Sequence, residues 1–271
     1  MPSANNYSKT IINSESTIDA FFRGKFYLIQ PKKTAHRVGM DALLLASCVP
    51  KNFTGKVADF GSGCGGAGLA VIARLRLAYV TLVENAPEMI YYAIQTINYP
   101  KNKHLAERIK LINLDLNAAG ATRNSAGLTD NNFDFVIMNP PFNQQNSQAS
   151  LYNLKAHAHV QTTNLFEKWL IAAAACLKAK GRLAIIAKPE SLASILKAMD
   201  KRYGAIEIIP IHPFSGLPAI RILIIATKGL ATPLVIRPAL SIRYRKYPMN
   251  KSQITAEMNN ISNGLCSIYD I

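Results

Sequence analysis

Asn139-Pro140-Pro141-Phe142 ends an alternating, mostly apolar run, Phe133-Asp134-Phe135-Val136-Ile137-Met138, that reads as a buried strand. Two consecutive prolines remove two backbone donors and fix φ twice, so the chain must leave the sheet stiffly after Asn139. A side-chain amide, a carbonyl with little freedom and an aromatic ring are thereby held together at a strand end. The same four residues also suit a plain rigid turn, and the rest of the chain has to decide between the two.

A second candidate is the stretch Asp59-Phe60-Gly61-Ser62-Gly63-Cys64-Gly65, which follows an apolar strand and opens a helix. Gly61, Gly63 and Gly65 let the backbone turn sharply and approach a ligand, while the helix start aims free amides at it. A diphosphate would sit poorly beside an acid, so Asp59 suits a ligand that carries a positive amino group. Glu84 ends the next strand, and an acid there can accept from both hydroxyls of a ribose. Asp115 closes the third strand and can accept from an adenine amino group. Three acids at three successive strand ends, beside one glycine loop, read as a ribonucleoside site with an ammonium group nearby.

This ordered set, Asp59-x-Gly61-x-Gly63-x-Gly65, Glu84, Asp115 and Asn139-Pro140-Pro141-Phe142, resembles the motifs of class I S-adenosylmethionine-dependent methyltransferases that modify amino groups. The resemblance covers about residues 36 to 228. It implies that Asp59 and the glycine loop hold the methionine end of S-adenosyl-L-methionine, Glu84 the ribose and Asp115 the adenine. In that setting the Asn139 side-chain oxygen and the Pro140 carbonyl bind the two N–H groups of a conjugated amine and aim its nitrogen at the sulfonium methyl. Pro141 stiffens the exit, and Phe142 stacks on a flipped-out base. The same four residues occur in enzymes acting on adenine, on the 2-amino group of guanine and on a glutamine amide, so they report a type of nitrogen and not a substrate.

Two further segments narrow the choice. His36 to Ser47 resembles the opening segment of bacterial enzymes that methylate an anticodon-loop adenine in valine tRNA, where it helps close the cofactor pocket. Arg37 and Asp41 are its polar candidates here. Ile208 to Gly229 resembles the closing hairpin of that family, with Arg221 entering the last strand.

The elements that must position these residues alternate as strand, turn and helix from residue 55 onward. Strands are expected near 56–60, 79–84, 109–114, 133–138, 182–187, 205–211 and 219–227, and helices near 66–76, 87–98, 162–178 and 190–202. Such alternation predicts an α/β, Rossmann-like fold: a mainly parallel seven-stranded sheet whose last two strands form an antiparallel hairpin at one edge. Residues 40–49 suit a short helix, and 117–131 a polar loop. The expected organisation is a flexible arm over 1–20, a methyltransferase domain over 21–229 and a basic extension over 230–271.

Charge points to the partner. The chain has 31 Lys plus Arg against 16 Asp plus Glu, a net charge of +15. A field of that sign favours a polyanion such as RNA, with tRNA first, and the basic residues cluster at 23–37, 101–110 and 237–251. The chain lacks room for a separate domain that reads duplex DNA. Adenine methylation in RNA is the leading reading; guanine methylation in ribosomal RNA, glutamine methylation in a protein and an inactive RNA-binding protein are the alternatives. Cys48, Cys64, Cys176 and Cys266 lie far apart with no metal-binding spacing, as suits reduced thiols. Cys64 reads as a small loop filler, Trp169 as core, and His157 with His159 as loop-surface residues without a metal. The longest apolar run, Trp169 to Leu177, has nine residues, against roughly 18 for a membrane span. With no signal peptide at the N-terminus, the cytoplasm is the expected location.

Overall fold

The computed structural model describes residues 16–32, 37–141, 165–246 and 251–271. The core elements follow the expected alternation. Strands β1 (Ser16–Phe21) and β2 (Phe26–Pro31) form an antiparallel hairpin of their own. Then come β3 (Gly55–Phe60), β4 (Ala78–Glu84), β5 (Ile109–Asn113), β6 (Phe133–Met138), β7 (Leu177–Ala187), β8 (Tyr203–Phe214) and β9 (Arg221–Lys228). The chain ends with β10 (Val235–Ile236), β11 (Leu240–Lys246) and β12 (Lys251–Ile254). Helices are α1 (Met40–Ser47), α2 (Gly66–Arg74), α3 (Pro87–Ile97), α4 (Lys103–Ala106), α5 (Gly120–Ser125), α6 (165–176), α7 (Leu192–Met199) and α8 (Ala256–Ser262).

The main sheet runs β12-β11-β8-β9-β7-β6-β3-β4-β5, with β10 also on β8. Strands β3 to β7 pair in parallel, and β9 lies antiparallel between β7 and β8. Alternation along each strand divides the core into two layers. On β6, Phe135 and Ile137 face one layer with Leu44, Leu69, Val71 and Leu82. Val136 and Met138 face the other, with Phe166, Leu170 and Leu183. β3, β6 and β9 and the second half of β7 are buried on both faces, which is why they read as nearly unbroken apolar runs, whereas β5 is an edge strand with exposed Lys110 and Asn113.

Four expectations need correction. The loose arm expected over 1–20 ends earlier, because Ser16–Phe21 pairs with β2 from Ser16↔Pro31 to Phe21↔Phe26. Polar residues on its covered face hid the alternation: Thr17 and the buried Gln30 both donate to the Asp19 carboxylate, while Ile18 is exposed. The stretch 117–131 contains α5, anchored by a buried Arg123 that donates to Asp130 and to the Ala118 carbonyl.

The expected seven strands, β3 to β9, are present as foreseen; among the described residues β10, β11 and β12 join them, so the β8–β9 hairpin is not the edge of the sheet. An unpaired β8 would present a row of open backbone groups. β10 and β11 instead lie on it in parallel register. The stretch 230–271 is accordingly part of the fold and not an appended extension: Met258, Ile261 and Ile268 are buried in the first layer, and the Ile268 amide donates to the Ser47 carbonyl of α1. Among the described residues no helix is long and apolar enough to cross a membrane.

Candidate active site at the carboxyl ends of the strands

β3 lies where the strand order reverses, with β4 on one side and β6 on the other. In open α/β sheets the crevice outside the carboxyl ends at such a point is where ligands bind. The registers Phe60↔Val83 and Phe60↔Met138 make Gly61, Glu84 and Asn139 leave three adjacent strands on one rim.

The glycine loop is built as a tight turn. Gly61 and Ser62 both donate to the Val83 carbonyl, at 2.9 and 3.1 Å, and Gly65 donates to the Ser62 carbonyl at 2.9 Å. Gly61, Gly63 and Gly65 have φ of 67°, 56° and 94°, which L side chains rarely adopt. At Gly61 a Cβ would also lie 2.6 Å from the Trp169 ring.

Asp59 is 2% exposed, and its Oδ2 accepts from the Gly68 amide in the first turn of α2 at 2.8 Å. Burial pushes this carboxyl from its ordinary 3.8 up to about 7, against the lowering effect of the Gly68 bond, with the Glu84 carboxylate adding to the rise. Glu84 braces the loop from the other side. Its Oε2 accepts from the Gly63 amide at 2.8 Å, and its Oε1 from the Asn85 and Ala86 amides at 2.9 Å. Asp115 is exposed two residues beyond the end of β5, and its Oδ1 accepts from the Asn117 amide and side chain, both at 2.9 Å.

Asn139 is half-buried at the end of β6, Pro140 is buried and Pro141 exposed; Phe142 lies outside the described residues, as do His157 and His159. The Asn139 Oδ1 is buried and has no hydrogen-bond partner among the described residues.

Arg37 and Asp41 are engaged in ion pairs. Arg37 donates to Asp19 at 2.7 Å, and Arg221 Nε donates to Asp41 at 2.8 Å. The segment reaches the glycine loop through Val38 instead. Its amide donates to the buried Gln30 at 2.8 Å, and its methyl groups lie where a Gly66 Cβ would be, 2.5 Å away. The Asp41–Arg221 pair ties the start of α1 to the start of β9, so the opening and closing segments meet.

At this rim the sequence did not reveal Ser62, or the polar end of Trp169. Ser62 and Trp169 are each 8% exposed, and among the described residues Ser62 Oγ and Trp169 Nε1 lack a hydrogen-bond partner, like Asn139 Oδ1. The Trp169 ring does pack in the second layer as expected, yet indole carries a donor that normally finds an acceptor when buried. The chain's one Trp, in a mostly apolar helix, was the available signal. Cys64 behaves as the loop filler expected: burial pushes its thiol up to about 12, so it holds no thiolate near neutral pH.

The methyltransferase small domain family matches residues 34–211 of the chain. A predicted O-methyltransferase, protein Atu636 from Agrobacterium tumefaciens, is 35% identical to it, over 84% of this chain and 97% of that one, with a TM-score of 0.71. TYW2 from M. jannaschii, solved in complex with AdoMet, shares the fold at 12% identity, covering 79% of this chain and 86% of its own with a TM-score of 0.52.

Proposed function

The chain belongs to the methyltransferase small domain family, and from that premise we propose that it methylates the exocyclic 6-amino group of an adenine in RNA, with tRNA as the first candidate. Methyl transfer is the family's activity, and S-adenosyl-L-methionine is the cofactor. When bound, that cofactor supplies a methyl group made electrophilic by its sulfonium. The residues present suit it. The Gly61 turn is bare because the Trp169 ring walls it, and the unpartnered Ser62 hydroxyl beside it can donate to a carboxylate. In this reading Asp59 presents negative charge beneath the loop to an ammonium group, and Glu84 and Asp115 accept from ribose and adenine. Arg37 and Asp41 hold the Val38 segment over the loop and so help close the pocket.

The observation that carries the amine reading is the buried, unpartnered Oδ1 of Asn139. A buried acceptor left open costs roughly 1–3 kcal/mol, and a substrate N–H would recover it. With the Pro140 carbonyl taking the second N–H, the nitrogen lone pair is freed from the ring and directed at the methyl group. Pro141 keeps the two acceptors from parting, and Phe142 stacks on the base. A nitrogen so held needs orientation more than a strong base. RNA is favoured as carrier of that amine by the net charge of +15.

The experiment incubates the protein with labelled cofactor and total RNA, then digests the RNA and identifies the methylated nucleoside. The expected product is 6-methyladenosine in the tRNA fraction. Methylguanosine, label in protein or a methylated hydroxyl would each overturn the adenine reading.

A further inference from the structure

The region between Glu207 and Glu257 contains no acidic residue and seven Lys or Arg. Within it, Arg237 pairs with Glu207 at 2.9 Å, Arg221 with Asp41 at 2.8 Å, and Lys228 bonds the Leu177 carbonyl at 2.6 Å. Arg243 and Arg245 of β11 are different. Both are exposed; Arg243 donates to the Ser252 hydroxyl at 3.2 Å, and the Arg245 guanidinium lies over the Phe214 ring, 5.7 Å from its centre. Among the described residues neither has a carboxylate partner.

Topology decides where these cations stand. β9 is antiparallel to both β7 and β8, so β8 runs with the catalytic strands, and β11 runs parallel to β8. The carboxyl end of β11 therefore lies on the same rim as Asn139. The face follows from alternation. Ile209 and Ile211 of β8, with Leu240 and Ile242 of β11, belong to the first layer. His212, Phe214, Arg243 and Arg245 thus point to the other face, where Phe214 is half-buried. β11 and β6 are four strand spacings apart in the sheet order, about 19 Å.

We propose that Phe214, Arg243 and Arg245 form a docking strip for the single-stranded flank of the RNA whose base enters the Asn139 site. Two uncompensated guanidiniums bind phosphates, and the ring offers a stacking surface that accepts any base. The strip stands a few nucleotides from the methylated base, so it contributes to affinity and not to the chemical step. This inference rests on the RNA reading above.

The test compares the full chain with R243Q/R245Q and with F214A, using total tRNA and cofactor. The double variant is expected to raise KM for tRNA about tenfold with kcat within twofold, and to reduce the slope of log affinity against log salt by roughly 1.4. R243K/R245K should restore most of the slope, and cofactor affinity serves as the check on folding. An unchanged KM and slope in R243Q/R245Q overturns the strip while leaving the RNA reading intact. If the unaltered protein methylates no RNA, that reading fails and the strip with it.

Discussion

Asp59 illustrates how one residue can carry both structure and chemistry. With its carboxyl held near 7 in the folded chain against 3.8 in the unfolded one, its contribution to stability is fully present below about pH 3.8 and is lost as pH rises through about 7. A ligand ammonium would favour the ionised form. Cofactor affinity is therefore expected to rise with pH through about 7, with a proton released on binding. Asp59→Asn keeps an oxygen for the Gly68 amide, and should flatten both profiles; calorimetric affinity and thermal midpoint between pH 5 and 8 provide the check. Gly61→Ala meets a backbone φ of 67° and a Trp169 ring 2.6 Å away, so a loss of about 1–3 kcal/mol in chemical denaturation is expected, together with weaker cofactor binding. The acids and glycines were readable from sequence because each stands where an apolar run ends. Ser62 and Trp169 were not, since an unpartnered atom is a property of the folded surroundings.

At the level of elements, the strands β3 to β9 were legible because each is an apolar or alternating run bounded by Gly, Pro or charge, with β3, β6 and β9 buried on both faces. β1, β10, β11 and β12 were not. They are edge or near-edge strands whose exposed positions mix apolar Ile18, Val235 and Ile236 with Arg243, Tyr244 and Arg245, so no two-residue alternation marks them. The helix α5 was missed because its residues, Gly120–Ser125, are polar and it is held by the Arg123 side chain. The C-terminal elements make a sharp prediction. Deleting residues 256–271 removes Met258, Ile261 and Ile268 from the first layer. Truncating one buried aliphatic residue costs about 2–5 kcal/mol, so the shortened chain is expected to lose its cooperative thermal transition. A transition at the full-length midpoint would restore the view of 230–271 as an appendage.

For the whole molecule, the proposed chemistry and the proposed docking strip fall at different places along one rim of the sheet. In the proposed reading the cofactor loop and acids belong to β3, β4 and β5 and the amine site to β6; the basic β11 lies on the far side of the β8–β9 hairpin. Net charge alone implied a polyanionic partner, but only strand direction brings Arg243 and Arg245 to the catalytic end. RNA affinity should fall steeply between low and physiological salt, as electrophoretic or anisotropy titrations can measure; an affinity insensitive to salt would contradict the electrostatic account.

The most direct measurement is single-turnover methyl transfer from labelled S-adenosyl-L-methionine to tRNA by Asn139→Ala, with cofactor affinity determined on the same protein. The account predicts a rate at least about a hundredfold lower, with cofactor affinity within twofold of the unaltered chain. A full rate in Asn139→Ala, at intact fold and cofactor binding, would contradict it.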